Sequence, residues 1–237
     1  MKDTRYMKRI FLSVLFICTF LSHLTAQTGK ESELIKQNYI RSVIGQDESK
    51  QAFLQLLSKI PPEKEVSDQN VIELQQLYPI RREEIHRLIS TIRGDGSWSD
   101  INYADTKRSG WEPKQHAERI LKLTKYYARE KENASAQEIS AVTSIIHQAM
   151  NYWFTEKLVC KNWWYNQIGI PRTLGPAFLL FEAEMTEKEK QEAVRVMEQS
   201  HFGMTGQNKV WLAGNVLIRG LLLNDSQPVS YTHLRAH

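Results

Sequence analysis

A chain of 237 residues can hold one or two domains and bury a sizeable core. Its apolar content of 41% is ordinary for a globular protein, and only 11 glycines and 7 prolines favour helices over a loop-rich β fold. The net charge is +4, of which +3 falls in the first 26 residues, so the remainder lacks the basic excess that a nucleic-acid partner requires.

The chain opens with Lys8-Arg9, an apolar run from Ile10 to Leu21, and the small-residue end Leu24-Thr25-Ala26. This order reads as a secretory signal peptide over 1–26, too short for a stop-transfer span, with Met7 as an alternative start. Cys18 lies inside the apolar run, which argues against a lipoprotein anchor. After cleavage Cys160 is the only cysteine, so no internal disulfide and no cysteine-based zinc site is expected. The expected location is secreted or periplasmic, with no membrane attachment once the leader is gone.

Helical periodicity follows. Leu34, Ile35, Ile40, Val43 and Ile44 form one stripe, and Phe53, Leu54, Leu56 and Leu57 a second, capped by Asp47. Pro61-Pro62 breaks the chain, Val71 to Tyr78 leads to Pro79, and Ile85, Leu88 and Ile89 make a further face on which Arg81-Arg82-Glu83-Glu84 reads as solvated. Arg93 to Gly110 reads as a polar loop. Its Asp95-Gly96-Ser97-Trp98-Ser99-Asp100 lacks the glutamate that closes an EF-hand, so calcium is not expected. Pro113 suits a helix start and predicts a helix to about Arg129. Ser135-Ala136-Gln137-Glu138 reads as a capping box opening a helix whose buried stripe is Ile139, Val142, Ile146, Ala149 and Trp153. His147, beside that stripe, reads as a structural histidine, and Cys160 as a packed thiol.

The densest chemical signal comes next, Asn162-Trp163-Trp164-Tyr165-Asn166-Gln167-Ile168-Gly169-Ile170-Pro171-Arg172. Aromatic faces stack on the C–H faces of sugar rings, and amides bond hydroxyls and carboxylates; an aromatic corner packed in a core is the alternative from composition alone. An apolar helix is predicted from about Thr173 to Glu184, ending on Glu182 and Glu184 as a solvated end. A second capping box, Thr186 to Glu189, opens a helix to about Gln199. A glycine-bearing turn from His201 leads to Asn208, and a last helix runs from about Val210 to Leu223. Residues 228–237 drop the pattern and read as a non-native tail of translated sequencing adapter, leaving 27–227 as the helical domain. The fold class is therefore all-α, and the helix-after-helix order fits a bundle, a solenoid or a toroid.

The Asn-Trp-Trp-Tyr-Asn-Gln-Ile-Gly-Ile-Pro segment resembles the signature of polysaccharide lyase family 8, the hyaluronate, chondroitin AC and xanthan lyases. Three more segments agree in order: Gly94 to Tyr103; Trp111-Glu112-Pro113 with His116 and Arg119; and Thr205-Gly206-Gln207-Asn208-Lys209. The resemblance implies an incomplete α/α toroid lining a long cleft, a monomer, and an acidic polysaccharide as substrate, with no cofactor and no metal. It implies β-elimination: a proton leaves C5 of a uronate, the carboxylate takes up enolate character, and the 4-O-glycosidic bond breaks. It assigns carboxylate neutralisation to Asn208 and substrate stacking to Trp163 and Trp164. Asn162 stands beside that pair, Phe202 is a third aromatic, and Arg172 is a carboxylate partner. Asn208 also reads as a helix N-cap, Phe202 as a core filler, and Arg172 as half of a structural salt bridge. The family's histidine, tyrosine and arginine for proton transfer are expected beyond the sequence, which reads as an amino-terminal fragment of a longer lyase, inactive alone. A non-catalytic glycan-binding domain is the alternative. A glycoside hydrolase would need two carboxylates flanking the bond, and the aromatic corner offers amides instead.

Overall fold

The computed structural model describes residues 29–44 and 82–223. The expected signal peptide, the stripe at Phe53 to Leu57 with its cap Asp47, the breaks at Pro61-Pro62 and Pro79, and the tail at 228–237 lie outside those residues. Among the described residues there are helices and no strands. They are α1 (29–44), α2 (Arg82–Thr91), α3 (Lys114–Glu130), α4 (Ala136–Glu156), a π-helical turn (Tyr165–Gly169), α5 (Ile170–Phe181), α6 (Glu187–Glu198) and α7 (Gly206–Leu222).

α5 is the axis of the arrangement. It carries almost no polar residue and buries Leu174, Ala177, Phe178, Leu179, Leu180 and Phe181, so it must be covered on every side. It packs against α3, α6 and α7, while α3 also packs on α4. Gly175 lets this packing close, because a Cβ there would lie 2.9 Å from the Met197 methyl and 3.0 Å from Ile218 Cγ2. The stripe on α4 is as the spacing predicts: Val142, Ile146, Ala149 and Trp153 are buried and Ile139 packs half-buried against the core. On α1 the expected face holds in part, with Ile40, Val43 and Ile44 packed half-buried against the core. Leu34 and Ile35 are exposed while Ser32 and Lys36 are buried, because Lys36 pairs with Glu182 at the end of α5.

Several local expectations change for one physical reason, the recruitment of charged groups across helices. Ser135 does accept from the Glu138 amide, but the Glu138 carboxylate does not return to the cap; it bonds Arg82 and Tyr126 instead. Arg82 and Glu83 are exposed as the solvated face expected, but the face also makes ion pairs, Arg82 with Glu138 and Glu84 with Lys122 at 2.5 Å. Glu182 and Glu184 are likewise engaged, with Lys36 and with the Tyr127 hydroxyl at 2.6 Å. The Thr186–Glu189 capping box forms in full. Its buried Glu189 also takes hydrogen bonds from Asn151 and from His147 across the gap to α4, giving that histidine its structural partner.

The loop between α2 and α3 is far less polar inside than its composition promises. Trp98 and Trp111 are fully buried, and their indole N–H groups donate to the Leu88 and Asp105 carbonyls. Gly96, at φ 91°, sits where a Cβ would fall 2.2 Å from the Gln148 carbonyl oxygen, so this loop lies directly on α4. His116 holds the two together. Nε2 faces the Ala149 carbonyl at 2.8 Å, which can only accept, so Nε2 carries the proton and Nδ1 accepts from the Tyr103 hydroxyl at 2.9 Å. Tyr103 in turn accepts from the Trp98 amide at 3.0 Å. Arg119 forks onto Asp100 at 2.7 and 2.8 Å and lies over the Trp98 ring. Both residues of that motif thus have structural work.

Candidate functional site

Proline chemistry shapes the aromatic corner. Pro171 has no amide hydrogen, so the Gln167 carbonyl four residues earlier lacks its α-helical donor. The chain answers with a π-helical turn over Tyr165–Gly169, closed by the Ile170 amide onto the Tyr165 carbonyl. α5 consequently starts at Ile170 and ends at Phe181, three residues earlier at each end than the spacing predicts.

The corner's amides are committed mainly to the chain itself. Asn162 accepts from the Trp164 amide at 3.1 Å and donates to the Arg108 carbonyl at 3.0 Å. One lone pair and one N–H of Asn162 remain for a ligand. Asn166 clamps Cys160 by both backbone groups, at 2.9 and 2.8 Å, and Cys160 is a buried thiol as expected. These bonds fix the loop so that the two tryptophans diverge. Trp163 stands 43% exposed. Trp164 is half-buried, edge-on to Tyr165 at 5.6 Å and to Trp211 at 5.8 Å.

Trp211, on α7, is the residue that reading the sequence missed. Its ring also carries the Arg172 guanidinium at 5.1 Å, so the stacked cation links α5 to α7. The available signal was its position three residues after Asn208, which puts both on one face of a helix. Asn208 is half-buried and is the third residue of α7, not the N-cap. Thr205 occupies the cap position, Gly206 follows at φ 62°, and no side chain caps this end. The structure therefore brings Trp164, Trp211 and Arg172 to one junction of the π turn, α5 and α7, with Asn208 one turn before Trp211 on α7. Phe202 stands 42% exposed in the turn before α7 and fills no core. His201, in the same turn, faces the Gln199 carbonyl and is exposed.

Trp211 and Arg172 also line a pocket of about 270 Å³ with Tyr39, Lys125, Val210 and Asn215. Burial pushes the Tyr39 hydroxyl up to about 12, against the opposing charge of Arg172. Among the described residues no carboxylate lines this pocket, whose cationic side chains are Lys125 and Arg172. The pocket is smaller than a drug-sized ligand needs, and a polymer would have to lie across the exposed rings rather than enter it. Among the described residues no helix is long and apolar enough to cross a membrane.

Comparison with known proteins gives consistent matches. The family model described as polysaccharide lyase family 8, N terminal alpha-helical domain, matches residues 63–235. A chondroitinase-AC of Pedobacter heparinus is 26% identical over 147 residues, which are 60% of this chain and 21% of that protein. The structure of a chondroitinase AC lyase in oligosaccharide complexes matches with a TM-score of 0.58 at 25% identity, covering 65% of this chain and 23% of that one. A Paenibacillus xanthan lyase matches in fold, with a TM-score of 0.59 at 16% identity over 86% of this chain and 18% of that one. The chain thus spans about a fifth of the length of these relatives. Its helices are part of an incomplete α/α toroid.

Proposed function

We propose, because the chain belongs to polysaccharide lyase family 8 through its N-terminal α-helical domain, that it holds an acidic, uronate-containing polysaccharide for cleavage by β-elimination in a secreted enzyme. The observation that carries this reading is the junction itself. Two exposed or half-exposed indoles and a guanidinium converge there from three segments, with the Asn208 amide one turn away on α7. Trp163 and Trp164 offer ring faces to sugars, with Phe202 beside the start of α7 as a third. Asn208 offers its amide to the uronate carboxylate, whose negative charge otherwise opposes loss of the C5 proton. A donor aimed where charge develops contributes about 3–4 kcal/mol. Arg172, stacked on Trp211, adds positive charge nearby, and Asn162 keeps the tryptophan pair in place while retaining one donor and one acceptor.

An amide and an indole are not bases at neutral pH, so the C5 proton must go to a group outside this junction. These residues therefore bind and polarise, and proton abstraction belongs elsewhere in the enzyme. The test has two arms on the 237-residue protein: titration with hyaluronan, chondroitin and xanthan oligosaccharides, and ultraviolet absorbance of the unsaturated uronate product. Binding of an acidic oligosaccharide without product is the expected result. Failure to bind any of them overturns the reading. Turnover that is abolished by Asn208→Ala overturns the separation of binding from proton abstraction.

A further inference from the structure

Pro171 leaves the Gln167 carbonyl without its α-helical donor, and side chains from distant elements meet that carbonyl and its neighbour. The Ser200 hydroxyl donates to the Gln167 carbonyl at 2.5 Å, taking the place of the amide hydrogen that Pro171 lacks. The Asn215 side-chain amide donates to the Ile168 carbonyl at 3.2 Å and to the Ser200 hydroxyl oxygen at 3.0 Å. Thr173 also donates to the Gly169 carbonyl from within α5, an ordinary back-bond of one turn. Ser200 and Asn215 are both buried, and every bond Asn215 donates ends on this latch.

The latch joins the two halves of the candidate site. Upstream of the π turn stand Trp163 and Trp164; on α7, one turn before Asn215, stands Trp211, and one turn earlier Asn208. Hydrophobic packing between α5 and α7 is non-directional and would tolerate a small slide. Hydrogen bonds to two consecutive carbonyls fix both the rotation and the height of α7 against the turn. We propose that Asn215, acting through Ser200, is a positioning residue that sets the spacing between the Trp163–Trp164 corner and Asn208. This inference rests on the saccharide-binding reading above for its functional consequence, and on the hydrogen-bond geometry alone for its structural one.

The experiment separates the two. The protein is labelled with 5-fluorotryptophan, and its six fluorine resonances are assigned by single Trp→Phe replacements. In Asn215→Leu, which is close in volume but donates nothing, the Trp164 and Trp211 resonances should move while those of the buried Trp98, Trp111 and Trp153 stay. Oligosaccharide affinity should fall at least about tenfold, since misplacement by about 1 Å between groups that act together is costly. Ser200→Ala removes one link and should give a smaller displacement of the same two resonances. It also answers the question if Asn215→Leu does not fold. Unmoved Trp164 and Trp211 resonances in the folded variants overturn the proposal. Moved resonances in a protein whose unsubstituted form binds no acidic oligosaccharide leave the latch standing and overturn the saccharide reading instead.

Discussion

Trp163 and Trp164 are neighbours in sequence but not in energetics, and replacing each with alanine separates binding from folding. Trp163 stands 43% exposed, so its loss should leave the melting temperature nearly unchanged. Trp164 has two edge-on partners, Tyr165 at 5.6 Å and Trp211 at 5.8 Å. At about 0.5–1.5 kcal/mol for each aromatic pair, Trp164→Ala should cost roughly 1–3 kcal/mol of stability, or about 2–4 °C for each kcal/mol. On the ligand side, a stacked ring is worth about 1–3 kcal/mol, so either replacement should weaken oligosaccharide binding roughly five- to hundredfold. Gly169→Ala perturbs the same ring without deleting it. The backbone there, φ −64° and ψ −50°, accepts any residue, but the new Cβ would lie 2.7 Å from Trp164 Cζ3. That is about 1 Å inside a normal carbon contact, so the ring must swing. Calorimetric titration with chondroitin oligosaccharides and thermal melting by circular dichroism read both quantities. Equal melting losses in the two alanine variants, or full affinity in Trp163→Ala, would refute the assignment of Trp163 as a ligand-facing ring.

Two further outcomes follow from the geometry. Burial holds the His116 imidazole down at about 4, with Arg119 adding to the effect and the Ala149 carbonyl opposing it. The unfolded histidine therefore takes up its proton first, and the stability present above about pH 6.5 should decline by on the order of 3 kcal/mol as pH falls towards 4. Urea titrations across that window should show a flatter acid limb in His116→Gln; an identical limb would assign the loss to other groups. Asn208→Asp should retain or slightly raise the melting temperature while abolishing binding of acidic oligosaccharides, and retained binding would remove Asn208 from carboxylate recognition.

What the sequence made legible was whatever is local. The capping box at Thr186 and Glu189 needs only residues three apart, and it forms. The stripe from Val142 to Trp153 needs only helical periodicity, and it is buried. The aromatic corner and Asn208 were visible as short motifs. The rest depends on partners far along the chain. Glu138 looked like the second half of a cap, but it meets Arg82, 56 residues earlier. The corner's amides looked available to a ligand, yet Asn162 reaches back 54 residues to Arg108. The π turn is a consequence of Pro171, and its stabilisation needs Ser200 and Asn215, 33 and 47 residues downstream of the carbonyls they meet. No periodicity encodes such pairings. His116 had no role in the sequence reading for the same reason: its two acceptor and donor partners lie in a loop and on the next helix.

The place of Asn208 within α7 decides what kind of carboxylate recognition is feasible. The helix begins after Thr205 without a side-chain cap and without an acidic residue in its first turn, so its positive end is not neutralised from within. An anion at that end gains about 0.3–1 kcal/mol from the dipole. A single aimed donor in an excluded site contributes about 3–4 kcal/mol. The dipole can orient a uronate but cannot by itself offset the charge that develops when C5 is deprotonated. In the function proposed here that task falls to the Asn208 side chain, and an amide is suited to it because it donates without carrying a charge that binds every anion equally. An aspartate at the same third position would satisfy the dipole as well as any anion, while its own carboxylate repels the substrate's. Helix stability and substrate affinity therefore move in opposite directions on one atom's exchange, which separates the work of the amide from that of the helix that carries it.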